Sequence, residues 1–286
     1  MYAITGITGH VGGVVAKTLL DSERQVRAVV RDAEKGDVWA ARGCEVAVAD
    51  MADAKSLSAA MTGVEGVFVL IPPIFDPTPG FAEVKAIIAA LTEAIRIARP
   101  PKILCLSTIG AQATQPNLLK QLGLVEQALS SLAMPVCFLR AAWFMENAGW
   151  DVPAAREGVI PSFLQPLDKP VPMVATADIG RLAAALLQEN WSGLRVVELE
   201  GPRRVSPNDV AAAFARILDR SVRMEAVPRD RWEEIFAAQG MKNPGPRAQM
   251  IDGFNQGWIV FEQGENAVIK GSTELSTVLT QLVTKP

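Results

Sequence analysis

Short apolar runs with strand character alternate with longer helical patterns along the first half of the chain, and this alternation constrains the fold most. Several runs are apolar at nearly every position, as in "VFVLI" and "ILCLS", so both faces of each strand must be covered. Strands buried on both sides and joined by helical crossovers form a parallel sheet. The sequence therefore predicts a doubly wound α/β fold, with strands after the first at 25–30, 45–49, 66–71, 102–107 and 136–140.

The first β-to-α turn of this sheet is rich in glycine. Residues 2–5 are predicted to form a strand and a helix is predicted from Val14. Between them lie Gly6, Gly9 and Gly12, which let backbone amides and a helix N-terminus approach an anion without a Cβ in the way. In a Rossmann-type sheet the expected anion is the pyrophosphate of a dinucleotide. The spacing is G-x-x-G-x-x-G rather than G-x-G-x-x-G, and a plain turn without a ligand is the alternative.

The regular alternation of predicted strands and helices ends after the sixth predicted strand. An aromatic, proline-rich stretch covers 143–172, and isolated helices follow, among them "SPNDVAAAFARILD" with Ser206 as its N-cap. We expect residues 1–142 to form the dinucleotide-binding domain, to which a helix in 174–190 returns. Residues 143–286 are expected to form mainly a smaller, irregular C-terminal α+β lobe for a substrate or partner.

Composition excludes several classes of function. The chain has 286 residues, of which 49% are hydrophobic and 21% charged, as in an ordinary globular protein. A formal net charge of -3 offers no basic field, so no direct nucleic-acid partner is expected. Cys44, Cys105 and Cys137 stand singly in apolar runs, which predicts neither disulfides nor a metal site. Without a targeting or membrane-spanning pattern, the sequence predicts a cytoplasmic protein with no membrane partner.

Six stretches of the chain together resemble a known family. They are "TGITGHVGG", "VRAVVRDAEK", "LSTIGA", "LVEQAL", "FLRAAWFMEN" and "ATADIG". They are similar to the atypical short-chain dehydrogenases of the NmrA-like type, which include NADPH-dependent quinone and azo-dye reductases and redox-sensing regulators. The resemblance implies NADP(H) as cofactor, with NAD(H) as an alternative, and neither a flavin nor a metal.

The resemblance also assigns residues to the cofactor. The expected contacts are Gly6, Thr8, Gly9, His10, Val11, Gly12, Arg31, Asp50, Met51, Ile71, Pro72 and Ser107. Arg31 in "VRD" would receive the 2′-phosphate of NADP(H), since a planar guanidinium suits a phosphate. An acidic residue near this position takes the 2′-hydroxyl of NAD instead. If Asp32 rather than Arg31 points at the ribose, NAD would be tolerated; a surface arginine without a ligand is the remaining alternative.

Two further pairs lie at predicted carboxyl ends of strands. By resemblance, Asp50 and Met51 would flank the adenine, while Ile71 and Pro72 would line the ribose and nicotinamide side. Ligands of open α/β sheets bind at these strand ends. Asp50 is alternatively the N-cap of the "DAKSLSAAM" helix, a position that aspartate favours.

The chain lacks the usual proton donor of short-chain dehydrogenases, which is a tyrosine followed by a lysine four residues later. Its one tyrosine, Tyr2, lies in the first strand. The lysine that relatives often keep before "G-x-x-E-x-x-L" is Leu122 here, and Lys120 would lie on the far face of the helix. His10, the one histidine, is expected to pack or to contact the pyrophosphate. With no evident general acid, acceptors whose reduced form is a delocalised, weakly basic anion are favoured.

Residues after the fifth and sixth strands are candidates for contact with the nicotinamide and the acceptor. Ser107 and Thr108 would donate hydrogen bonds there, or else cap the strand end. Trp143, Phe144 and Asn147 in "RAAWFMEN" would give a flat acceptor an apolar wall and one amide, or else form an inter-lobe core. The candidates for catalysis are Ser107, Thr108 and Asn147.

Two functions fit this sequence. The first is an NADPH-dependent, flavin-free reductase that passes hydride to a planar, electron-poor small-molecule acceptor such as a quinone or an azo compound. The second is a non-catalytic NADP(H)-binding redox sensor that acts through a protein partner. The missing tyrosine and lysine favour the sensor, whereas the aromatic segment and the complete second lobe favour the reductase, which is the working hypothesis.

Overall fold

The computed structural model describes residues 1–284, and the chain divides into two compact units. The first unit comprises Met1–Ser107, Gln121–Arg140 and Ile179–Val197. The second unit comprises Thr108–Lys120, Ala141–Asp178 and the chain from Glu198 onward. Each unit is therefore assembled from three separate segments of the chain.

Strands and helices alternate through the first half of the described residues, as the apolar pattern predicts. The strands are β1 (Tyr2–Ile4), β2 (Val26–Val30), β3 (Glu45–Val48), β4 (Gly66–Val69), β5 (Ile103–Thr108), β6 (Val136–Ala141), β7 (Trp143–Phe144), β8 (Val159–Ser162), β9 (Met173–Val174), β10 (Leu194–Glu200), β11 (Arg223–Ala226) and β12 (Ile269–Lys270). The helices are α1 (His10–Asp21), α2 (Asp37–Ala40), α3 (Ala54–Met61), α4 (Ala82–Ala98), α5 (Lys120–Ser130), α6 (Val152–Glu157), α7 (Thr176–Gln188), α8 (Pro207–Leu218), α9 (Trp232–Ala238), α10 (Gly245–Gln256) and α11 (Leu275–Thr284).

Within residues 1–284, eight strands form one sheet in the order β12-β10-β6-β5-β4-β1-β2-β3. β1 pairs in parallel with both β2 and β4, β2 pairs in parallel with β3, and β4 with β5. The strand order reverses between β1 and β4, and such a switch point opens a crevice at the carboxyl ends of the strands. The doubly wound, Rossmann-type fold predicted from the sequence is confirmed.

The core of the first unit explains why the strand runs are so apolar. Every residue of β4 is buried, and in β5 the exposure of Ile103 and Leu104 is 0%. Leu57 of α3 and Leu91 of α4 pack into the same cluster as the strands. Each such side chain contributes about 1.5–3 kcal/mol by leaving water. No helix of the described residues has both the length and the hydrophobicity to cross a bilayer.

Helix α7 packs unusually close to α1 inside the first unit. A Cβ added at Gly180 would lie 2.5 Å from the Cβ of Val14 and 3.0 Å from the carbonyl oxygen of Val11. No larger residue fits at Gly180 without moving one of the two helices. The late segment of the chain thus covers the helix that follows the glycine turn.

The second unit carries two small parallel ladders, β7 with β9 and β8 with β11. Its aromatic cluster includes Trp232, whose ring meets Phe163 edge to face at 5.7 Å between centroids. The predicted N-cap of α8 is confirmed. Ser206 accepts a hydrogen bond from the Asp209 amide, the Asp209 carboxylate accepts one from the Ser206 amide, and Pro207 opens the helix.

Candidate functional site

The turn between β1 and α1 depends on three glycines with different constraints. Gly6 has a φ of +63°, a left-handed conformation that glycine adopts without strain. A Cβ at Gly12 would lie 2.3 Å from the carbonyl oxygen of Gly6, so helix and turn meet backbone to backbone. The predicted helix start at Val14 is wrong, because Gly9 is the N-cap and α1 begins at His10. Gly12 therefore lies in the first turn of the helix rather than in the loop before it.

The N-terminus of α1 presents backbone donors that have no intrahelical partner. No side chain among the described residues caps this helix, and its first turn carries no acidic residue. Thr8, Gly9 and His10 are exposed, whereas Val11 is buried at 3% exposure. Free amides and the positive end of a helix dipole suit an anion. A dinucleotide pyrophosphate fits this end of α1.

Thr5 joins the two strands on either side of the switch point. Its Oγ1 accepts a hydrogen bond from the Leu70 amide at 2.8 Å, and its own amide donates to the Phe68 carbonyl at 3.0 Å. Thr5 is only 1% exposed, so these bonds lie inside the protein. The carboxyl ends of β1 and β4 are thereby fixed beside the glycine turn.

The two charged residues after β2 differ in what their side chains contact. Asp32 is the N-cap of the 3₁₀ turn Ala33–Gly36, and its carboxylate accepts a hydrogen bond from the Glu34 amide at 3.1 Å. Arg31 is exposed, and its guanidinium has no hydrogen bond or ion pair with any other described residue. The donors of Arg31 are thus available to a ligand, while an oxygen of Asp32 is used by the local backbone.

The residues predicted to lie against the adenine and ribose are unequally exposed. Met51 and Ile71 are 8% and 9% exposed and belong to the core of the first unit, whereas Pro72 is half-buried. The exposed Asp50 accepts a hydrogen bond from the Ala52 amide at 2.8 Å.

The alternative that Asp50 caps α3 is wrong. The N-cap of α3 is Asp53, whose carboxylate accepts hydrogen bonds from the amides of Lys55 and Ser56. Hydrogen bonds from Ser56 and Lys55 also hold the pKa of Asp53 below its ordinary value. Asp50 is therefore not required for the start of this helix.

A buried ionic cluster, which the sequence did not predict, connects β5, α5 and β6 in the first unit. Arg140 donates from Nε and Nη2 to the Glu126 carboxylate at 2.9 and 2.7 Å, and Ser107 Oγ donates to Glu126 Oε1 at 2.5 Å. The side chains of Arg140 and Glu126 are 6% and 11% exposed. The proton of Ser107 is thus directed to Glu126 rather than to a ligand. Thr108 Oγ1 donates to the Ile109 carbonyl at 3.2 Å.

The second unit contains a cavity of about 430 Å³, within the size range of small-molecule sites. Its wall includes eight aromatic or methionine side chains: Trp143, Phe144, Met145, Trp150, Phe163, Met173, Met224 and Met250. The Trp143 ring meets Phe254 of the same unit edge to face, with centroids 5.2 Å apart. The Asn147 amide also lines the cavity and has no hydrogen bond with any other described side chain or backbone group. Aromatic faces and the adaptable, unbranched side chains of methionine suit a flat ligand.

In the second unit, Glu146 links two of the six stretches that carry the family resemblance, "FLRAAWFMEN" and "ATADIG". Its carboxylate accepts hydrogen bonds from the Thr176 amide at 2.9 Å and from Thr176 Oγ1 at 2.5 Å. Thr176 is the first residue of α7, so "FMEN" supplies an acceptor for the start of the helix in "ATADIG". This contact holds the segment that precedes the cavity residue Asn147.

Two charged residues that the sequence did not single out also line the cavity. Burial raises the pKa of Asp151 to about 6. Arg247 lies with its guanidinium 4.3 Å from the centre of the Phe236 ring and donates to Met241 Sδ at 3.6 Å. Burial lowers the pKa of Arg247 from its ordinary value. Among the described residues, no group of three or more His, Cys, Asp or Glu side chains could hold a metal ion.

The family model described as "NmrA-like family" matches residues 2–256. The chain belongs to the NmrA-like family. The family resemblance predicted from the six stretches is therefore confirmed. Among curated relatives, NAD(P)H azoreductase of Xenophilus azovorans is 28% identical over 84% of this chain and 82% of its own. Quinone oxidoreductase 2 of Escherichia coli is 28% identical over 76% of this chain and 74% of its own.

A solved structure covers nearly the whole NmrA-like fold of this chain. It is the NADPH-dependent quinone oxidoreductase of Escherichia coli, solved in complex with NADPH. The two chains superpose with a TM-score of 0.82 at 24% identity, and 99% of each chain is covered. At this identity the likeness establishes the fold.

Proposed function

We propose that this protein is an NADPH-dependent, flavin-free reductase that transfers hydride to a planar, electron-poor acceptor such as a quinone or an azo compound. The proposal is carried by the bare N-terminus of α1 at the switch point of the Rossmann-type sheet. The names of the relatives, an azoreductase and quinone oxidoreductases, support the class of reaction and acceptor.

The first unit has the residues to hold the cofactor. Gly6, Gly9 and Gly12 would allow a pyrophosphate to reach the amides of α1, and Arg31 would bind a 2′-phosphate. NADPH, when bound, supplies a hydride. Because Arg140 already neutralises Glu126, the buried cluster near the end of β5 presents no net charge. These residues bind and orient the cofactor and leave the protonation of the acceptor to other groups.

The second unit has the residues to hold the acceptor. Trp143 and Phe144 offer aromatic faces to a flat molecule, and the Asn147 amide can donate a hydrogen bond to a quinone oxygen or an azo nitrogen. The aromatic and aliphatic side chains of the wall lower the local dielectric, which strengthens such hydrogen bonds. An acceptor without a planar conjugated system would use few of these contacts.

The test is NADPH consumption by the purified protein, without added flavin, against a panel of quinones, azo dyes and simple aldehydes. We expect turnover with the quinones and azo dyes and none with the aldehydes. Saturable NADPH binding without turnover on any acceptor would instead support a redox sensor that acts through a protein partner. That alternative is favoured by the burial of Tyr2 in β1 at 4% exposure, since the chain has no other tyrosine to protonate a substrate.

Arg31→Ala is expected to weaken NADPH binding by about one to two decades and to leave NADH binding nearly unchanged. A guanidinium facing a 2′-phosphate makes charge-assisted hydrogen bonds worth roughly 1.5–3 kcal/mol, and 1.4 kcal/mol is one decade. Fluorescence titration with both cofactors measures the effect, and the wild-type preference should shrink as salt screens the exposed contact.

The matched control for this substitution is Asp32→Asn, which removes the neighbouring charge. We expect it to leave the preference for NADPH in place. Equal binding of NADPH and NADH by the wild type, or a loss of NADH affinity in Asp32→Asn alone, would assign the ribose contact to Asp32.

A further inference from the structure

We propose that Asp151 is the proton donor to the reduced acceptor in the cavity of the second unit, an inference that rests on the proposed function. The sequence shows no general acid, because its one tyrosine lies in β1 and the usual lysine position is Leu122. The carboxyl group of Asp151 lines the same cavity as Trp143, Phe144 and Asn147.

The position of Asp151 in the chain does not account for its carboxyl group. It ends the 3₁₀ segment Met145–Asp151 and stands at the N-cap position of α6, yet its side chain makes no capping hydrogen bond. Its carboxyl group also makes no hydrogen bond or ion pair with any other described residue. A carboxylate oxygen that no neighbouring group uses keeps its capacity to pair with another partner. A half-buried carboxyl group in a cavity wall without one is available to a ligand.

The surroundings of Asp151 favour its protonated form. Arg247 is the other charged side chain in the described wall of the cavity, and it lies over Phe236 rather than paired with Asp151. The charged groups on the elements around the cavity are exposed or have partners of their own; they are Glu146, Arg156, Glu157, Asp209, Arg216, Arg223, Glu225, Glu233, Glu234 and Asp252. Burial therefore raises the pKa of Asp151 to about 6 with no neighbouring charge opposing it.

The chemistry balances with Asp151 as the acid. Addition of hydride to the acceptor delivers an electron pair and one hydrogen, and leaves an anion on a quinone oxygen or an azo nitrogen. The O–H bond of protonated Asp151 then breaks as a new O–H or N–H bond forms on the acceptor. The electron pair of the broken bond stays on the Asp151 carboxylate, which regains a proton from water because it is only half-buried. A donor whose pKa lies near the working pH performs this step well.

The test compares Asp151→Asn with the wild type in the steady state, using one quinone at saturating NADPH from pH 5 to pH 8.5. Wild-type kcat should fall as the pH rises through the donor's pKa, because only the protonated carboxyl group acts. Asp151→Asn should lower kcat by about 100-fold at pH 5.5, the lower end of general-acid effects, and should abolish this pH dependence. The control is Glu157→Gln, which removes an exposed carboxylate of α6 and should behave as the wild type.

A second readout needs neither cofactor nor acceptor. Because the folded state binds the proton of Asp151 more tightly than the unfolded chain does, the contribution of Asp151 to wild-type stability falls as the pH rises from about 4 to about 6. The Asp151→Asn variant does not lose stability in this way, because asparagine has no carboxyl group to titrate. The melting temperature of Asp151→Asn should therefore rise relative to that of the wild type as the pH increases from 4 to 7.

The possible outcomes separate this proposal from the proposed function. Wild-type turnover with an unchanged pH profile in Asp151→Asn would overturn the role of Asp151 and leave the reductase intact. A melting-temperature difference that stays constant with pH would overturn it as well, because the carboxyl group would then not titrate as required. No turnover by the wild type on any acceptor would overturn the reductase and the proton donor together.

Discussion

Gly9→Asp will weaken NADPH binding by about three decades while the protein remains folded. The backbone at Gly9 has φ -92° and ψ 175°, which any residue adopts, and an added Cβ would meet only the Gly6 carbonyl oxygen, at 3.3 Å. Aspartate is also a better N-cap than glycine by a few tenths of a kcal/mol. Its carboxylate would occupy the amides that a pyrophosphate needs and repel the phosphate. Two like charges about 4 Å apart near a protein surface repel each other by about 4 kcal/mol, which corresponds to about three decades in the dissociation constant.

Gly9→Asn is the control that separates charge from shape. It adds a side chain of nearly the same size, can cap α1 equally well, and carries no charge. We expect Gly9→Asn to weaken NADPH binding by about one decade or less, from the competing hydrogen bond alone. Fluorescence titration gives both affinities, and thermal melting should show one cooperative transition for each variant, because the Gly6 carbonyl oxygen needs to shift only slightly to admit the Cβ. If NADPH bound Gly9→Asp as tightly as the wild type, the anion site would not be at α1.

Glu126→Ala is expected to lower the free energy of unfolding by about 3–5 kcal/mol. The substitution leaves the guanidinium of Arg140 without its carboxylate in a place where Arg140 is 5% exposed. It also removes the acceptor of the Ser107 hydroxyl. An uncompensated buried charge is among the largest single destabilising effects in a folded protein. Urea unfolding of the two proteins at the same pH measures the difference.

An exposed ion pair of the same kind, Glu93 with Arg96, serves as the control for the buried pair. Glu93 and Arg96 of α4 approach to 3.9 Å, but their side chains are 55% and 64% exposed. Glu93→Ala should therefore change the free energy of unfolding by less than about 1 kcal/mol. Replacing Glu126 and Arg140 together by Leu and Met should recover most of the loss from Glu126→Ala. Equal losses from Glu126→Ala and Glu93→Ala would contradict the buried character of the cluster.

The part of the site that depends on local backbone geometry could be predicted from the sequence. Glycines between an apolar strand and a helix imply a turn that exposes amides, whatever the rest of the chain does. The error in the helix start has a local cause. Gly12 and Gly13 are poor helix formers, so the sequence pattern predicts a helix only after them, although α1 already includes both. The interpretation of Asp50 as the N-cap of α3 fails for a local reason as well, because Asp53, three residues further along the chain, caps the helix.

The part of the site that depends on burial could not be predicted in the same way. Glu126 lies 19 residues from Ser107 and 14 from Arg140, and nothing in the sequence states that these three side chains share one space. Asp151 follows Gly149 and Trp150 and has the appearance of an aspartate in a surface loop. Its environment is set by a cavity whose wall includes residues as distant as Leu275. Pairings of this kind follow from tertiary packing, which single-sequence patterns do not contain.

The return of α7 onto α1 determines when the proposed cofactor site can be completed during synthesis. Gly180 packs against Val14, and the first unit takes its last segment from Ile179–Val197. A ribosome that has released only the first 140 residues has delivered the glycine turn and most of the sheet, but not the helix that covers α1. Domains fold as units, so this one must wait until its last segment has left the exit tunnel. A fragment for isotope labelling or ligand screening must therefore extend through Val197, and the two shorter segments of the second unit are translated with it.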